Sequence, residues 1–211
     1  MDELGLPSGS GDRSGTELAR VALLRRVAIT LGGIAAGGGA AAGFAGASRG
    51  SHRRNRLPGH DRQILELALR VEQLQTAFYT EAIRRGKLTG EAKQFAQIVG
   101  NEEREHLRYI EHALGQGAAK PVKFNFGRAT ANEKRFVAAA AKIEDFALAA
   151  YNGQTGNMSR GTLKSVARVI SVEARHAAWA RNLAGELPAP VPVDQPISAA
   201  QALQAMKPYL A

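Results

Sequence analysis

The sequence predicts an all-α fold, a four-helix bundle with one long crossover between the second and third helices. Apolar residues recur at three- and four-residue steps in four long stretches, which is the period of an amphipathic helix. Two of the connections between these stretches are short, and the middle one is long. No stretch shows a convincing strand pattern. With 211 residues, of which 45% are hydrophobic, the chain suits one domain with a tail.

The first two helices form one hairpin. The first is predicted over residues 61–85 and ends before Gly86, and the second runs from about residue 91 to residue 114. Because residues 86–90 make a short polar link, these helices are expected to be antiparallel. Residues 115–129 then form the crossover. At roughly 3.3 Å per extended residue, this stretch is long enough to pass from one end of a bundle to the other.

The third and fourth helices form a second hairpin. Thr130 is expected to cap the third helix, which runs to about residue 151, because Glu133 follows three residues later as in a capping box. Ser159 is expected to cap the fourth, which ends at about residue 184. The short link between them again predicts an antiparallel pair.

Residues 187–211 are expected to form a Pro-rich tail. Its prolines prevent the fourth helix from continuing. A short helix capped by Ser198 is predicted as far as Met206, with Ala202, Leu203 and Met206 as its apolar face. We interpret the tail as a strap over the bundle that spans residues 60–186.

Residues 1–47 resemble an export signal rather than part of the fold. Arg25 and Arg26 precede an uncharged stretch, residues 27–47, that ends in a small-x-small cleavage pattern. The paired arginines and the Gly/Ala-rich stretch resemble a twin-arginine (Tat) signal, which exports folded proteins, with cleavage after Ala47 and a linker over residues 48–59. This predicts an exported, periplasmic or extracytoplasmic protein with the Tat machinery as a partner. An ordinary Sec signal, or an uncleaved signal that anchors the protein in the membrane, are the alternatives.

Composition narrows the chemistry. The chain has no cysteine, which excludes disulfides, thiolate zinc sites and iron–sulfur clusters, so a metal would need oxygen and nitrogen ligands. The formal net charge is +9. The positive residues are mostly scattered, without the interleaved aromatics of a nucleic-acid motif, so no nucleic-acid partner is expected.

Two carboxylates occupy positions where the helical period demands apolar side chains. Glu72 shares a stripe with Leu65 and Tyr79, and Glu144 shares one with Ala140 and Tyr151. Burying a carboxylate alone costs several kcal/mol at least, so both residues need a cationic partner.

The second and fourth helices could bind a metal cation that serves as this partner, because each carries a Glu-x-x-His pair. The pairs are Glu103 with His106 and Glu173 with His176. A separation of three residues places both side chains on one helix face, where carboxylate and imidazole can bind the same ion.

The two hairpins look like one unit used twice, at an offset of about 70 residues. Glu72 precedes Glu103 by 31 residues, and Glu144 precedes Glu173 by 29. Four aromatic residues repeat in the same register: Tyr79 and Tyr151, seven residues after their glutamates, and Tyr109 and Trp179, three after their histidines. These four are expected to be core aromatics, with a supporting role at the site or a radical (redox) role as the alternative.

This ligand set resembles the ferritin-like superfamily of di-iron and di-manganese carboxylate proteins. The resemblance covers roughly residues 60–185 and implies a ferritin-like bundle with two divalent ions, iron or manganese. It implies that Glu72 and Glu144 are mainly terminal ligands, that Glu103 and Glu173 bridge, and that each histidine binds one ion. Glu102 is the rival to Glu103, and Glu102, Glu105, Glu111 and His112 are otherwise expected to be solvated.

The resemblance implies a metal-dependent oxidoreductase acting on Fe(II) and O₂ or on H₂O₂, either ferroxidase-like or manganese-catalase-like, in a stress setting. Oxidation of an organic substrate ranks below these because no substrate-binding insertion is seen. The alternative is a non-catalytic exported bundle that holds metal or has a structural role. The sequence leaves open the choice of Fe or Mn and the oligomeric state, including a homo-oligomer.

Overall fold

The computed structural model describes residues 57–115 and 117–211, so the predicted signal and residues 48–56 of the linker lie outside the described residues. The described residues contain no β-strand, and none of their helices is long and apolar enough to cross a membrane. They form five α-helices: α1 (Gly59–Arg85), α2 (Gly90–Leu114), α3 (Glu133–Asn152), α4 (Arg160–Leu183) and α5 (Ala199–Met206).

Helices α1 to α4 form the predicted all-α bundle. The most extensive packing lies within the hairpins, α1 against α2 and α3 against α4, and the hairpins meet through α1 with α3 and α2 with α4. Each helix buries the apolar stripe that its sequence period predicts. The four inner faces therefore surround a common interior.

The helix ends agree with the sequence except at the start of α3. Gly86 ends α1 with a φ of 63°, a left-handed conformation that glycine adopts without strain, and Ser159 accepts the amide of Thr162 as the cap of α4. The predicted cap at Thr130 is wrong. Asn132 caps α3 by accepting the amide of Arg135. The hydroxyl of Thr130 instead donates to Glu81 of α1, 2.5 Å away, so a tertiary contact removes it from the capping position.

The C-terminal tail packs across the bundle and the crossover. Helix α5 contacts α1 and α3, and Ser198 caps it as predicted. Ala202 and Met206 are buried, but Leu203 is 47% exposed, so its predicted place on the apolar face is wrong. After α5, the amide of Asn125 in the crossover donates to the carbonyl of Tyr209 at 2.8 Å. The tail thus ties the crossover to the bundle.

The tail meets the C-terminal end of α3 at Gly153. The amide of Ile197 donates to the carbonyl of Ala149 at 3.1 Å. A Cβ atom at Gly153 would lie 1.8 Å from the carbonyl oxygen of Ile197. Only glycine allows this approach.

A carboxylate joins the start of α1 to the start of α4. Asp61 accepts the amide of Ser159 at 2.9 Å, the hydroxyl of Thr162 at 2.7 Å and the hydroxyl of Ser159. Burial raises the pKa of Asp61, but the hydrogen bonds from Ser159 and Thr162 outweigh burial, and its pKa lies below the usual value. This brace fixes one end of the bundle.

Aromatic side chains fill the core beside the buried carboxylates. Phe78 stacks on Phe136, with ring centroids 5.4 Å apart, and meets Tyr79 edge-on at 5.3 Å. Phe95 packs edge-on against Tyr79 and Trp179. These rings surround Tyr79, which is fully buried.

Candidate metal centre

The six side chains singled out by the sequence meet in the middle of the bundle. Helix α1 supplies one carboxylate, α3 supplies another, and α2 and α4 each supply a Glu-x-x-His pair. All four carboxylates are fully buried, His106 is 9% exposed and His176 is 3% exposed. The residues are Glu72, Glu103, His106, Glu144, Glu173 and His176.

The six side chains form two overlapping groups, each of a size that could hold a metal ion. One group is Glu72, Glu103, His106 and Glu173, and the other is Glu103, Glu144, Glu173 and His176. Within each group, one donor atom from every residue lies within 4.8 Å of the others. Glu103 and Glu173 belong to both groups. Each group therefore has one imidazole, one carboxylate of its own and two shared carboxylates.

The donor atoms are only partly paired with one another: His106 Nδ1 hydrogen-bonds Glu103 Oε2 at 3.3 Å, and other donor atoms have no such partner. Eight buried side-chain polar atoms of the described residues lack a hydrogen-bond partner, and four of them belong to the six side chains: Glu72 Oε2, Glu103 Oε1, Glu173 Oε1 and His176 Nδ1. His106 Nδ1 lies 2.8 Å from Glu173 Oε1, and His176 Nδ1 lies 2.8 Å from Glu103 Oε1, but neither contact has the alignment of a hydrogen bond. Buried polar atoms normally have partners. This donor set therefore fits cations bound between the helices.

Two tyrosines hydrogen-bond the two carboxylates that are not shared between the groups, Glu72 and Glu144. The hydroxyl of Tyr79 donates to Glu144 Oε1 at 2.6 Å, and the hydroxyl of Tyr151 donates to Glu72 Oε1. Each bond crosses from one hairpin to the other. The supporting role considered for these tyrosines is therefore the one that the structure shows.

The other two aromatic residues of the repeat do not touch the six side chains through hydrogen bonds. Tyr109 donates to the carbonyl of Ser165, and Trp179 donates to Glu91 at 2.9 Å. Trp179 is partly buried and packs edge-on against Phe95 of the core, as expected. Tyr109 is 37% exposed, so the expectation that it is a core aromatic is wrong.

Gln75 of α1 contributes a contact that the sequence did not predict. Its side-chain nitrogen donates to Glu144 Oε2 at 3.1 Å and to Glu173 Oε2 at 3.0 Å. Gln75 is fully buried. Its place on the same helical stripe as Glu72 was the available indication.

Glu102 is not simply solvated, which corrects the expectation for this residue. Its carboxylate accepts a hydrogen bond from His176 Nε2 at 2.6 Å, although the side chain is 46% exposed. It lies outside both four-residue groups, so it supports a histidine and does not replace Glu103. Glu105, Glu111 and His112 are exposed, as expected.

Both histidines hold protons strongly when no cation is present. Burial lowers the pKa of His106, but the carboxylates of Glu103 and Glu173 outweigh burial and raise it to about 11. Burial likewise lowers the pKa of His176, whereas Glu102 and Glu103 raise it well above the usual value. The carboxylates around the two histidines therefore favour the protonated form of each imidazole.

The carboxylates divide into two kinds. Burial, with repulsion from Glu103 and Glu173, raises the pKa of Glu72 and of Glu144 well above the ordinary value. For Glu103, burial raises the pKa, but the two histidines outweigh burial and lower it to about 2. Strongly shifted pKa values in one buried cluster are typical of functional sites and also occur in structural ion-pair networks.

The comparison with known families agrees with this arrangement. The sequence model of a family described as "Ferritin-like domain" matches residues 60–186. The chain belongs to this ferritin-like family. No curated protein matches the chain.

The ferritin-like domain thus combines an all-α bundle with two carboxylate and histidine groups that could bind metal ions. The helical period and the Glu-x-x-His spacing were sufficient to find the six side chains that converge. Glu102 and Gln75 were missed as supporting residues, because their partners lie on other helices.

Proposed function

We propose that this ferritin-like protein binds two divalent ions, iron or manganese, through Glu72, Glu103, His106, Glu144, Glu173 and His176. The observation that carries the proposal is the set of buried donor atoms without hydrogen-bond partners between the four helices. Four carboxylates balance the charge of two divalent cations, which removes most of the cost of burying them.

The donor types support iron or manganese. Each group offers three carboxylates and one imidazole. Hard oxygen donors with a single imidazole suit Fe(II) or Mn(II) better than metals that prefer thiolates.

We propose further that the protein is an oxidoreductase for Fe(II) and O₂ or for H₂O₂. Two such ions, when bound, would together exchange two electrons with the oxidant. The protein would position the ligands and shield the ions. Tyr79 orients Glu144 and Tyr151 orients Glu72, while aromatic side chains such as Phe95 pack beside the site. Glu72 and Glu144 can also hold protons, because their pKa values are raised.

Metal analysis tests the site. Protein from its native host is expected to contain about two ions per chain, and Glu103→Ala with Glu173→Ala is expected to abolish binding, because both residues belong to both groups. Glu105→Ala, on the exposed face of α2, is the control and should keep both ions. Full metal content in the double variant would refute the proposal.

Turnover assays test the activity. The loaded protein should consume H₂O₂, or O₂ in the presence of Fe(II), and the double variant should not. If the loaded protein binds two ions but turns over neither oxidant, the metal site stands and the non-catalytic alternative replaces the oxidoreductase.

We also propose export by the Tat pathway, on the sequence of residues 1–47 alone. A reporter fused after Ala47 should leave the cytoplasm, and Arg25→Lys with Arg26→Lys should stop it, because that pathway requires the arginine pair. Export that continues in the variant would favour a Sec signal.

A further inference from the structure

We propose that the two halves of the site bind their ions with unequal affinity, and that Glu102 is a positioning residue that strengthens the half containing His176. The inference rests on the proposed function, since it concerns the same two ions. It comes from three places where the duplicated hairpin is not symmetric.

The first asymmetry lies at the histidines. His176 uses its two ring nitrogens differently: Nε2 donates to Glu102 at 2.6 Å, and Nδ1, which has no hydrogen-bond partner, faces the donor cluster, 2.8 Å from Glu103 Oε1. A carboxylate behind a ligand histidine keeps the proton on the outer nitrogen, so the inner nitrogen is the one that loses its proton and binds metal. Glu102 therefore fixes the tautomer and the ring orientation that an ion needs.

His106 lacks this support. Its contacts with Glu72, Glu103 and Glu173 all use Nδ1, and no described residue hydrogen-bonds its Nε2. The residue that corresponds to Glu102 in the repeat is Val172, since each directly precedes the glutamate of its Glu-x-x-His pair. Valine has no group that could accept a proton from an imidazole.

The second asymmetry lies at the carboxylates outside the shared pair. Glu144 accepts hydrogen bonds from both Tyr79 and Gln75, whereas Glu72 accepts one, from Tyr151. The residue that corresponds to Gln75, three after the glutamate, is Ala147 in α3. The His176 half therefore has one more fixed carboxylate oxygen than the His106 half.

The third asymmetry is exposure. The side chain of His106 is 11% exposed and that of His176 is 4% exposed. All three differences act in the same direction. The His176 half is better ordered before an ion arrives, so less ordering is needed on binding, and its ion should bind first and leave last.

Anaerobic titration of the ion-free protein with Mn(II), followed by calorimetry, measures the two affinities. The wild type should show two steps with dissociation constants at least about tenfold apart. Glu102→Ala should weaken the tighter step by about 10–100-fold, the usual effect of removing such a partner, and leave the weaker step unchanged. Glu105→Ala removes a carboxylate from the same helix and should change neither step.

Two histidine variants assign the steps. His176→Ala should remove the tighter step, and His106→Ala should remove the weaker one. In His176→Ala, the further change Glu102→Ala should have no effect, because the histidine through which Glu102 acts is gone. Circular dichroism confirms that each variant is folded.

A reverse change tests the same idea in the other half. Val172→Glu places a carboxylate at the position that corresponds to Glu102, and it should narrow the gap between the two dissociation constants. Equal affinities in the wild type, an equal loss in both steps with Glu102→Ala, or an unchanged gap with Val172→Glu would overturn this inference. Absence of any Mn(II) binding by the wild type would instead overturn the proposed function.

Discussion

Proton release on metal binding is a direct consequence of the charges in the site. Near neutral pH, His106 is protonated, because its pKa is about 11, and the pKa of His176 is also raised. Each imidazole must lose a proton before its Nδ1 can bind an ion. Glu72 and Glu144 have raised pKa values and can add one proton each. Filling the site should therefore release between two and four protons.

This number sets how strongly affinity depends on pH. Each proton released raises the association constant tenfold per pH unit. The overall constant for two ions should thus rise by at least about 100-fold for each unit between pH 6 and pH 8. Anaerobic calorimetry with Mn(II), repeated at one pH in buffers of different ionisation enthalpy, counts the protons directly.

The matched control is the double variant Glu103→Ala with Glu173→Ala, which should bind no Mn(II) and release no protons. Fewer than about one proton released by the wild type, or an affinity that does not change with pH, would show that the histidines are not the ligands.

Three further predictions concern stability. The free energy of unfolding of the metal-free protein should fall as the pH rises above about 6.5, because the folded state keeps protons on His106 and His176 that the unfolded state loses. The fall should be up to about 1.4 kcal/mol per pH unit for each histidine. Urea titrations from pH 6.5 to 9 measure this free energy, and a rise with pH would contradict the assigned charges. Gly153→Ala should lower the melting temperature, because the new Cβ would displace Ile197. Gly156→Ala is the control and should not lower it, because a Cβ at Gly156 would meet open space. Equal melting temperatures for the two variants would argue against the close approach of the tail. Asp61→Ala should lower the free energy of unfolding by about 1–3 kcal/mol, because it leaves hydrogen-bond donors at the start of α4 without an acceptor. Urea unfolding measures this loss. An unchanged free energy would mean that the contacts of Asp61 do not stabilise the fold.

The helices and the six candidate ligands could be predicted because local rules determine them. Helical periodicity placed Glu72 and Glu144 on buried faces, and a three-residue spacing placed Glu103 and His106 on one face of α2. The structure then brings these side chains together because the hairpins pack on the same faces. Beyond these local patterns, the prediction used only the repetition of the helical hairpin along the sequence.

The features that were missed depend on contacts between helices. Thr130 has the local sequence of a cap, but Glu81 of another helix takes its hydroxyl. Glu102 looks like a surface carboxylate from its own helix, and only the approach of α4 gives it His176 as a partner. Gly153 has an ordinary helical φ of −64°, so its requirement for glycine arises only when the tail packs against it.

A crystal structure of the protein loaded with manganese, with anomalous scattering data, would locate the ions relative to the six side chains. We predict two anomalous peaks between the four helices, roughly 3.5–4 Å apart as in other two-metal sites. One should lie beside His106 and one beside His176, with Glu103 and Glu173 in contact with both. Peaks found only at the protein surface, or the six side chains paired with one another around no peak, would contradict this prediction.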